Sequence, residues 1–319
     1  MKSNSKILNQ LTFKKMIPYL LLAIVILFAS IVSGHFLSSD NINNLVVQVA
    51  VNMLVSMGML LVIQSGGIDL SVGSMVCLAG LLVAGFMENM NLWLAILSVI
   101  LIGAALGFTN GVIVVKLRIA PFIGTMGMMS IVRGIAFWYS GASPILWRGF
   151  PGGDTFFLIG GGRFFGIVPV PAVMWAVVAF ITWIVVNRTV MGRIILSIGG
   201  NDEASRLSGI NVQKWKIIPY IYSGVCCAIA GIMLSSRLGV GSPQVGFGLE
   251  LDSIAAVVVG GASLFGGIGT VSGTIIGVFI LGIISNVLSL MNVDAYPQMI
   301  LQGVIVIFAV AISVLKMRK

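Results

Sequence analysis

Long apolar runs recur along almost the whole chain, and that recurrence limits the fold more than any single motif. A helix needs roughly 20 such residues to cross the hydrocarbon of a bilayer. The runs fall at 17–37, 44–64, 72–87, 92–115, 119–139, 168–187, 217–236, 253–265, 270–290 and 296–315. Of 319 residues, 58% are hydrophobic and only 8% charged, whereas a soluble domain carries about a quarter charged residues. Too little charge remains to cover a water-facing surface. A cytosolic enzyme, a nucleic-acid-binding module and a disordered chain are therefore excluded. The expected class is an all-α polytopic membrane protein of about ten transmembrane helices, forming a single membrane domain over 1–319.

Two runs, 72–87 and 253–265, are short, and each adjoins a glycine-rich segment. Such interruptions mark broken or re-entrant helices in transporters. A secretory signal is the alternative reading of residues 1–37. Its apolar stretch exceeds a signal core and nothing soluble follows, so it reads as the first span.

Lys and Arg in short loops stay cytoplasmic. With both termini inside, the cytoplasmic face receives Lys2, Lys6, Lys14, Lys15, Lys116, Arg118, Arg188, Arg193, Arg206, Lys214, Lys216, Lys316, Arg318 and Lys319, or 14 of the 18 basic residues. Arg133, Arg148, Arg163 and Arg237 fall to the outer side or to span ends facing it, with Asp40, Glu88, Asp154, Glu250, Asp252 and Asp294. The net charge of +9 is thus an orientation signal. Two loops are long: an outer, glycine-rich one at 140–167 and a polar inner one at 188–216.

Catalytic chemistry finds little support. No Gly-Lys dipeptide occurs, so a phosphate-binding P-loop is absent. His35 is the only histidine, and Cys77, Cys226 and Cys227 lie in apolar runs, which leaves neither a metal site nor a nucleophile–base pair. No catalytic residue, no metal and no cofactor is expected in this chain.

Residues 66–76, GGIDLSVGSMV, echo 266–276, GGIGTVSGTII, at an offset of 200. Gly66/Gly266, Gly67/Gly267, Ile68/Ile268 and Gly73/Gly273 are identical, which suggests a parallel internal repeat with irregular backbone at membrane depth. Asp69 lies in the first break beside Ser71. A carboxylate there is a functional candidate, and its plain alternative is a cap on the following helix. Gln48, Asn52, Asn110, Asn286, Gln298 and Gln302 sit inside spans and either bond between helices or face a hydrophilic path. Arg133, Trp138, Tyr139 and Trp147 suggest an interfacial aromatic belt with a snorkelling arginine. Gate and path candidates are Gly66, Gly67, Asp69, Ser71, Gly73, Asn52, Gly266, Gly267, Gly273 and Asn286.

In the inner loop, Asn201 is placed to cap a short helix whose first turn holds Asp202 and Glu203, and Gly209 ends it. Too brief to cross a bilayer, this helix suits docking of a soluble partner, or lies on the membrane surface. Gly200, Asn201, Asp202, Glu203, Ala204, Ser205, Arg206, Gly209 and Ile210 are the coupling candidates.

Three stretches, SGGIDLSVGS at 65–74, GGNDEASRLSGI at 199–210 and GGASLFGGIGT at 260–270, resemble the permease subunit of bacterial ribose-type ABC sugar importers. The resemblance runs over essentially the whole chain. It implies that 199–210 is the cytoplasmic loop whose helix seats in a groove of the ATPase subunit; here Ala204 is followed by Ser205, where that family often has a second alanine. It further implies an ATP-binding subunit carrying the ATP and magnesium, an extracytoplasmic sugar-binding protein, a second permease chain and location in a bacterial inner membrane. No nucleic-acid partner is implied. The substrate class is a pentose, hexose or related sugar. The competing reading is an ion-coupled secondary transporter or a facilitator, for which acids or a histidine at the midplane are expected; the sequence places only Asp69 there.

Overall fold

The computed structural model describes residues 2–317. Arg318 and Lys319 lie outside the described residues, as do the side chains of Lys2, Lys6, Lys14, Lys15, Gln302 and Lys316. The elements run α1 (Lys2–Val32), α2 (Ser39–Gln64), α3 (Val72–Phe86), α4 (Leu92–Val115), α5 (Pro121–Ser140), β1 (Ile145–Leu146), α6 (Gly153–Gly161), β2 (Arg163–Phe164), β3 (Val168–Pro169), α7 (Val170–Arg188), α8 (Val190–Gly200), α9 (Asp202–Leu207), α10 (Val212–Leu238), β4 (Val240–Gly241), α11 (Leu249–Val259), α12 (Val271–Leu290) and α13 (Ala295–Met317). Among the described residues five helices, α2, α4, α7, α10 and α12, are long and apolar enough to cross a membrane; Met16–Val32, α3 and α8 are shorter apolar helices.

Local chemistry sets the boundaries. Ser38 caps α2, its hydroxyl accepting from the Asn41 amide, with Asp40 in the first turn where the helix dipole favours an acid. Pro121 opens α5, and Gly141 at φ 56° closes it.

Glycine decides how the long helices meet. In α4, Gly103, Gly107 and Gly111 share one face and let the backbone lie directly on α10. A Cβ at Gly103 would stand 2.6 Å from the Gly224 carbonyl oxygen, and one at Gly107 would overlap the Tyr220 carbonyl. Gly58 of α2 meets the Ser223 Cα, and Gly80 of α3 meets Gly231. Lipid is as apolar as leucine, so close approach through small residues is what holds helices together in a membrane. α10 thereby becomes the central post, flanked by α2, α3 and α4.

Several expectations are revised. The run at 253–265 is not one span: α11 begins at Leu249 and stops at Val259, and 260–270 is irregular backbone. The inner segment 188–216 is largely helical, since α8 follows α7 after one residue. The outer segment 140–167 carries α6 and two short strand pairs, β1 with β4 and β2 with β3. Trp147 does not join a belt. It is buried at 1% exposure, donates from Nε1 to the Ser235 carbonyl at 3.1 Å, and meets Phe156 edge-on. Trp138, at 86% exposure, does face outward. Arg133 does not snorkel; it donates to the Pro243 and Val245 carbonyls at 3.3 and 2.7 Å. Around the echoed breaks the long and short helices come in opposite order: 26 then 15 residues for α2 and α3, and 11 then 20 for α11 and α12.

Candidate functional site

The first break, Ser65–Ser71, leaves helix geometry inside the bundle, so its backbone groups need partners within the protein; the Gly66 and Gly67 amides turn back to the Ile63 and Val62 carbonyls, and side chains serve others. The Ile68 carbonyl accepts from Thr125 Oγ1 at 3.4 Å and from the Tyr220 hydroxyl at 3.5 Å, and the Leu70 amide donates to Thr125 Oγ1 at 3.1 Å. Asp69 is fully buried. Its Oδ1 accepts from the Ser71 amide at 3.0 Å, the Ser71 hydroxyl at 2.6 Å and Asn110 Nδ2 at 3.1 Å, and its Oδ2 from the Ser223 hydroxyl at 3.2 Å. It does not cap α3. Ser71 holds the N-cap position without a side-chain cap bond, and Asp69 closes a local turn two residues earlier while tying α4 and α10 to the break. Four donors and, among the described residues, no cation within ion-pair distance suit an acceptor-only carboxylate.

α10 also serves as a ruler of depth. Tyr220 reaches Ile68, Ser223 reaches Asp69, and Gly231 packs on Val76 and Gly80. Val72 and Gly73 therefore stand opposite the middle of α10. A Cβ at Gly73 would overlap the Gly246 carbonyl and lie 2.6 Å from Glu250 Oε2. The coil after α10 descends past Gly80 at Gly241 and reaches this same level. Two short helices, α3 and α11, thus begin level with the middle of α10, with their N-termini together. The sequence placed Glu250 and Asp252 toward the outer side. The fold brings them inward because the coil 239–248 re-enters, its carbonyls held by Arg133 and by the Cys77 thiol, which donates to Pro243 at 3.4 Å. Acids at a helix N-terminus are stabilised by its dipole, and both lie in the first turn of α11.

The second break meets the first at the inner end. The Gly267 amide donates to the Gln64 carbonyl at 3.0 Å, and Gln64 Nε2 donates to the Gly269 carbonyl at 3.0 Å. The last turn of α8 sits between them: a Cβ at Gly199 would overlap the Gln64 carbonyl and stand 2.5 Å from the Gly267 amide, and one at Gly266 would stand 2.6 Å from the Gly199 carbonyl. Gly266 and Gly267, at φ 92° and 72°, hold left-handed backbone here. Gly200 lies 2.9 Å from the Cβ that Gly267 would carry. Gly273 packs on Gly260.

α9 follows at once. Asn201 caps it, Oδ1 accepting from the Ala204 amide at 2.9 Å. Gly209 at φ 82° turns the chain, and the Ile210 amide returns to the Ser205 carbonyl at 3.2 Å. Ser205 is buried and shares a 2.9 Å hydrogen bond with Ser197 of α8. Glu203 pairs with Arg206, whose hydrogen bonds hold that carboxyl below the ordinary glutamate value. Asp202 pairs with Lys216. Leu207 is 77% exposed at the tip of the helix, and no sequence pattern singled it out. Gly199 was also missed as a site residue, although the Gly-Gly pair signals close approach.

Asn52 accepts from Ser56 of its own helix at 3.2 Å. Asn286 exchanges two 2.9 Å hydrogen bonds with Asn41, so both of its polar groups are committed to tying α12 to α2.

Helices long and apolar enough to cross a membrane, packed with shorter apolar helices that start inside the bundle, are what a membrane permease is built from. The chain belongs to the family described as the permease component of branched-chain amino acid transport systems, which it matches over residues 41–310. It is 41% identical over 293 residues to the ribose import permease protein of Haemophilus influenzae, covering 92% of this chain and 90% of that one. It is 42% identical to the corresponding Bacillus subtilis protein, covering 94% and 92%, and 36% identical to the D-allose transport system permease protein of Escherichia coli K12, covering 92% and 90%. No solved structure matches the chain. It is a multi-pass membrane protein of a transport system.

Proposed function

We propose that this chain is the membrane subunit of an ATP-binding-cassette importer and forms the path for a monosaccharide. The observation that carries the reading is the junction at Gly199, where the helix α9 follows directly on a segment that touches both breaks. An ATP-binding subunit, which would carry the ATP and magnesium, takes α9 in a groove, with Leu207 and the first-turn acids as its contacts. Pushing on α9 moves α8, and α8 displaces Gln64–Gly66 and Gly266–Gly267 together, so both half-helices shift at once. A second permease chain, surrounding lipid and an extracytoplasmic sugar-binding protein complete the assembly. The termini and α9 face the cytoplasm of a bacterial inner membrane, following the basic-residue bias, with about ten crossings once half-length helices are counted.

The family description speaks of amino acids, while the similar proteins named above act on sugars. The interior favours a neutral, hydroxylated substrate. A substrate carboxylate would meet Glu250 and Asp252, with Arg133 already spent on backbone carbonyls.

One observation favours ion coupling instead: Glu250, with Asp252 in the same helical turn, lies against Gly73 at the start of α3, so acids other than Asp69 are present within the bundle. Reconstitution separates the two. The permease with its ATPase and binding protein is expected to take up D-ribose, D-allose or L-arabinose only with ATP. Uptake by the chain alone under a proton or sodium gradient would establish the second reading.

Leu207→Asp is expected to cut ATP-dependent uptake by about tenfold or more, as loss of a docking anchor costs over 1 kcal/mol, while yield is unchanged because the residue is 77% exposed. Co-purification of the ATPase subunit checks it. Reversing Asp202 and Glu203 to lysine is a coarser test, since it also breaks the pairs with Lys216 and Arg206. Gly199→Ala is expected to leave ATPase binding intact and uncouple it, with hydrolysis continuing as uptake falls; normal coupling would remove the junction from the mechanism.

A further inference from the structure

Polar side chains that have no partner inside a membrane protein must find one outside it, because hydrocarbon supplies none. Three such side chains lie along the coil that leads into α11 and on its first turn. Gln244 is exposed, Glu250 and Asp252 are half-buried, and among the described residues none of the three side chains has a hydrogen bond or an ion pair. Phe247, in the same turn of coil, is 62% exposed. Arg133 covers one face of its ring, with the guanidinium 4.1 Å from the centroid, and donates to the Pro243 and Val245 carbonyls on either side of Gln244. The ring is thereby fixed, with its other face open.

We infer that this surface, Phe247 with Gln244 and Glu250, is a wall of the sugar path and touches the passing sugar. The inference rests on the importer reading above. A face carrying a carboxylate and a carboxamide halfway through the membrane does not face lipid, because each unpaired group there costs several kcal/mol. A path for a monosaccharide requires what is present. The C–H face of a sugar ring packs on an aromatic ring, and its hydroxyls donate to a carboxylate and exchange hydrogen bonds with an amide. A charged substrate needs none of the open ring face. Arg133 is a positioning residue: it holds the coil and the ring and leaves no donor demand on Glu250. Asp69, by contrast, is sealed within the bundle and its four hydrogen bonds leave it nothing to offer a sugar.

The test uses the complete assembly in proteoliposomes, with D-ribose, D-allose and L-arabinose as probes. The unaltered complex comes first: failure to take up any of the three with ATP overturns the importer reading and is distinguishable from failure of the wall. Gln244→Cys is then expected to react with a charged, water-soluble thiol reagent, since the native cysteines are buried, and the reaction is expected to cut uptake. Phe247→Ala is expected to lower uptake at saturating sugar by about tenfold, equivalent to about 1.4 kcal/mol, while Phe247→Trp, which keeps a flat ring, stays within about twofold. Equal yields of the two variants separate this from misfolding. Three outcomes overturn the inference. One is an unreactive thiol with transport intact, which assigns the face to lipid. Another is a disulfide between two copies of Gln244→Cys without labelling, which assigns it to the second permease. The last is labelling with uptake unchanged both by modification and by Phe247→Ala.

Discussion

Asp69→Ala is expected to abolish uptake and to lower the thermal midpoint of the solubilised protein by more than any other polar substitution in the bundle. The carboxylate accepts four hydrogen bonds from three residues on three segments. Without it the two serine hydroxyls can turn to other acceptors and Asn110 Nδ2 keeps its 2.8 Å bond to the Ser71 hydroxyl, but the Ser71 amide has no alternative. One buried donor left unpaired costs about 1–3 kcal/mol. The loss falls on a side chain that fastens the first break to both α4 and α10, leaving only Asn110 on Ser71 and Tyr220 on Ile68 among the described hydrogen bonds to those helices, so the start of α3 loses placement as well as stability. Asp69→Asn keeps one acceptor oxygen for the Ser71 amide and offers its own amide to Ser223, and is expected to cost about 1 kcal/mol. Differential scanning of the purified variants checks the order. Equal effects of alanine and asparagine would mean that the carboxylate acts through its charge alone and not through this set of bonds.

Gly107→Leu is expected to prevent assembly of the bundle altogether. The first added carbon already overlaps the Tyr220 carbonyl and stands 2.9 Å from the Ile221 Cα. Backbone cannot rotate aside as a side chain can, so α4 must leave α10. Overpacking a core costs about 1–3 kcal/mol when side chains absorb it, and here the contacts of Gly103 with Gly224 and of Gly111 with Ile217 are lost with it. Asn110, on the same helix, is carried away from Asp69. Monodisperse protein after mild detergent extraction should fall to near zero, while Gly127→Leu in α5, where nothing lies within 4 Å, should purify normally.

Much of the architecture was legible because a bilayer leaves few solutions. Continuous apolar runs become helices, and the boundaries of α2, α4 and α12 fall within a few residues of the runs at 44–64, 92–115 and 270–290. The capped helix 202–207 was legible for a different reason: Asn201, the two acids and Gly209 are local signals that need no tertiary context. The re-entrant coil 239–248 was not legible. Its groups are satisfied by Arg133 and Cys77, more than a hundred residues away, and hydropathy cannot distinguish such a coil from an outer loop. Glu250 and Asp252 were misplaced with it. Asn286 carried no sign of its partner either, since Asn41 lies 245 residues distant.

The sequence by itself determined that this chain lives in a membrane, which segments are helical, where glycine interrupts them, and where a short exposed helix stands ready for a partner. These follow from composition, periodicity and capping, all of which act over a few residues. Only the tertiary structure decided that the two breaks meet at Gly199, that α3 and α11 start together at mid-depth, and which polar groups are tied and which stay open. Those facts depend on how closely α4, α2 and α3 approach α10. That distance is set by pairs of glycines facing one another across helices, and the chain cannot pair them until it has folded.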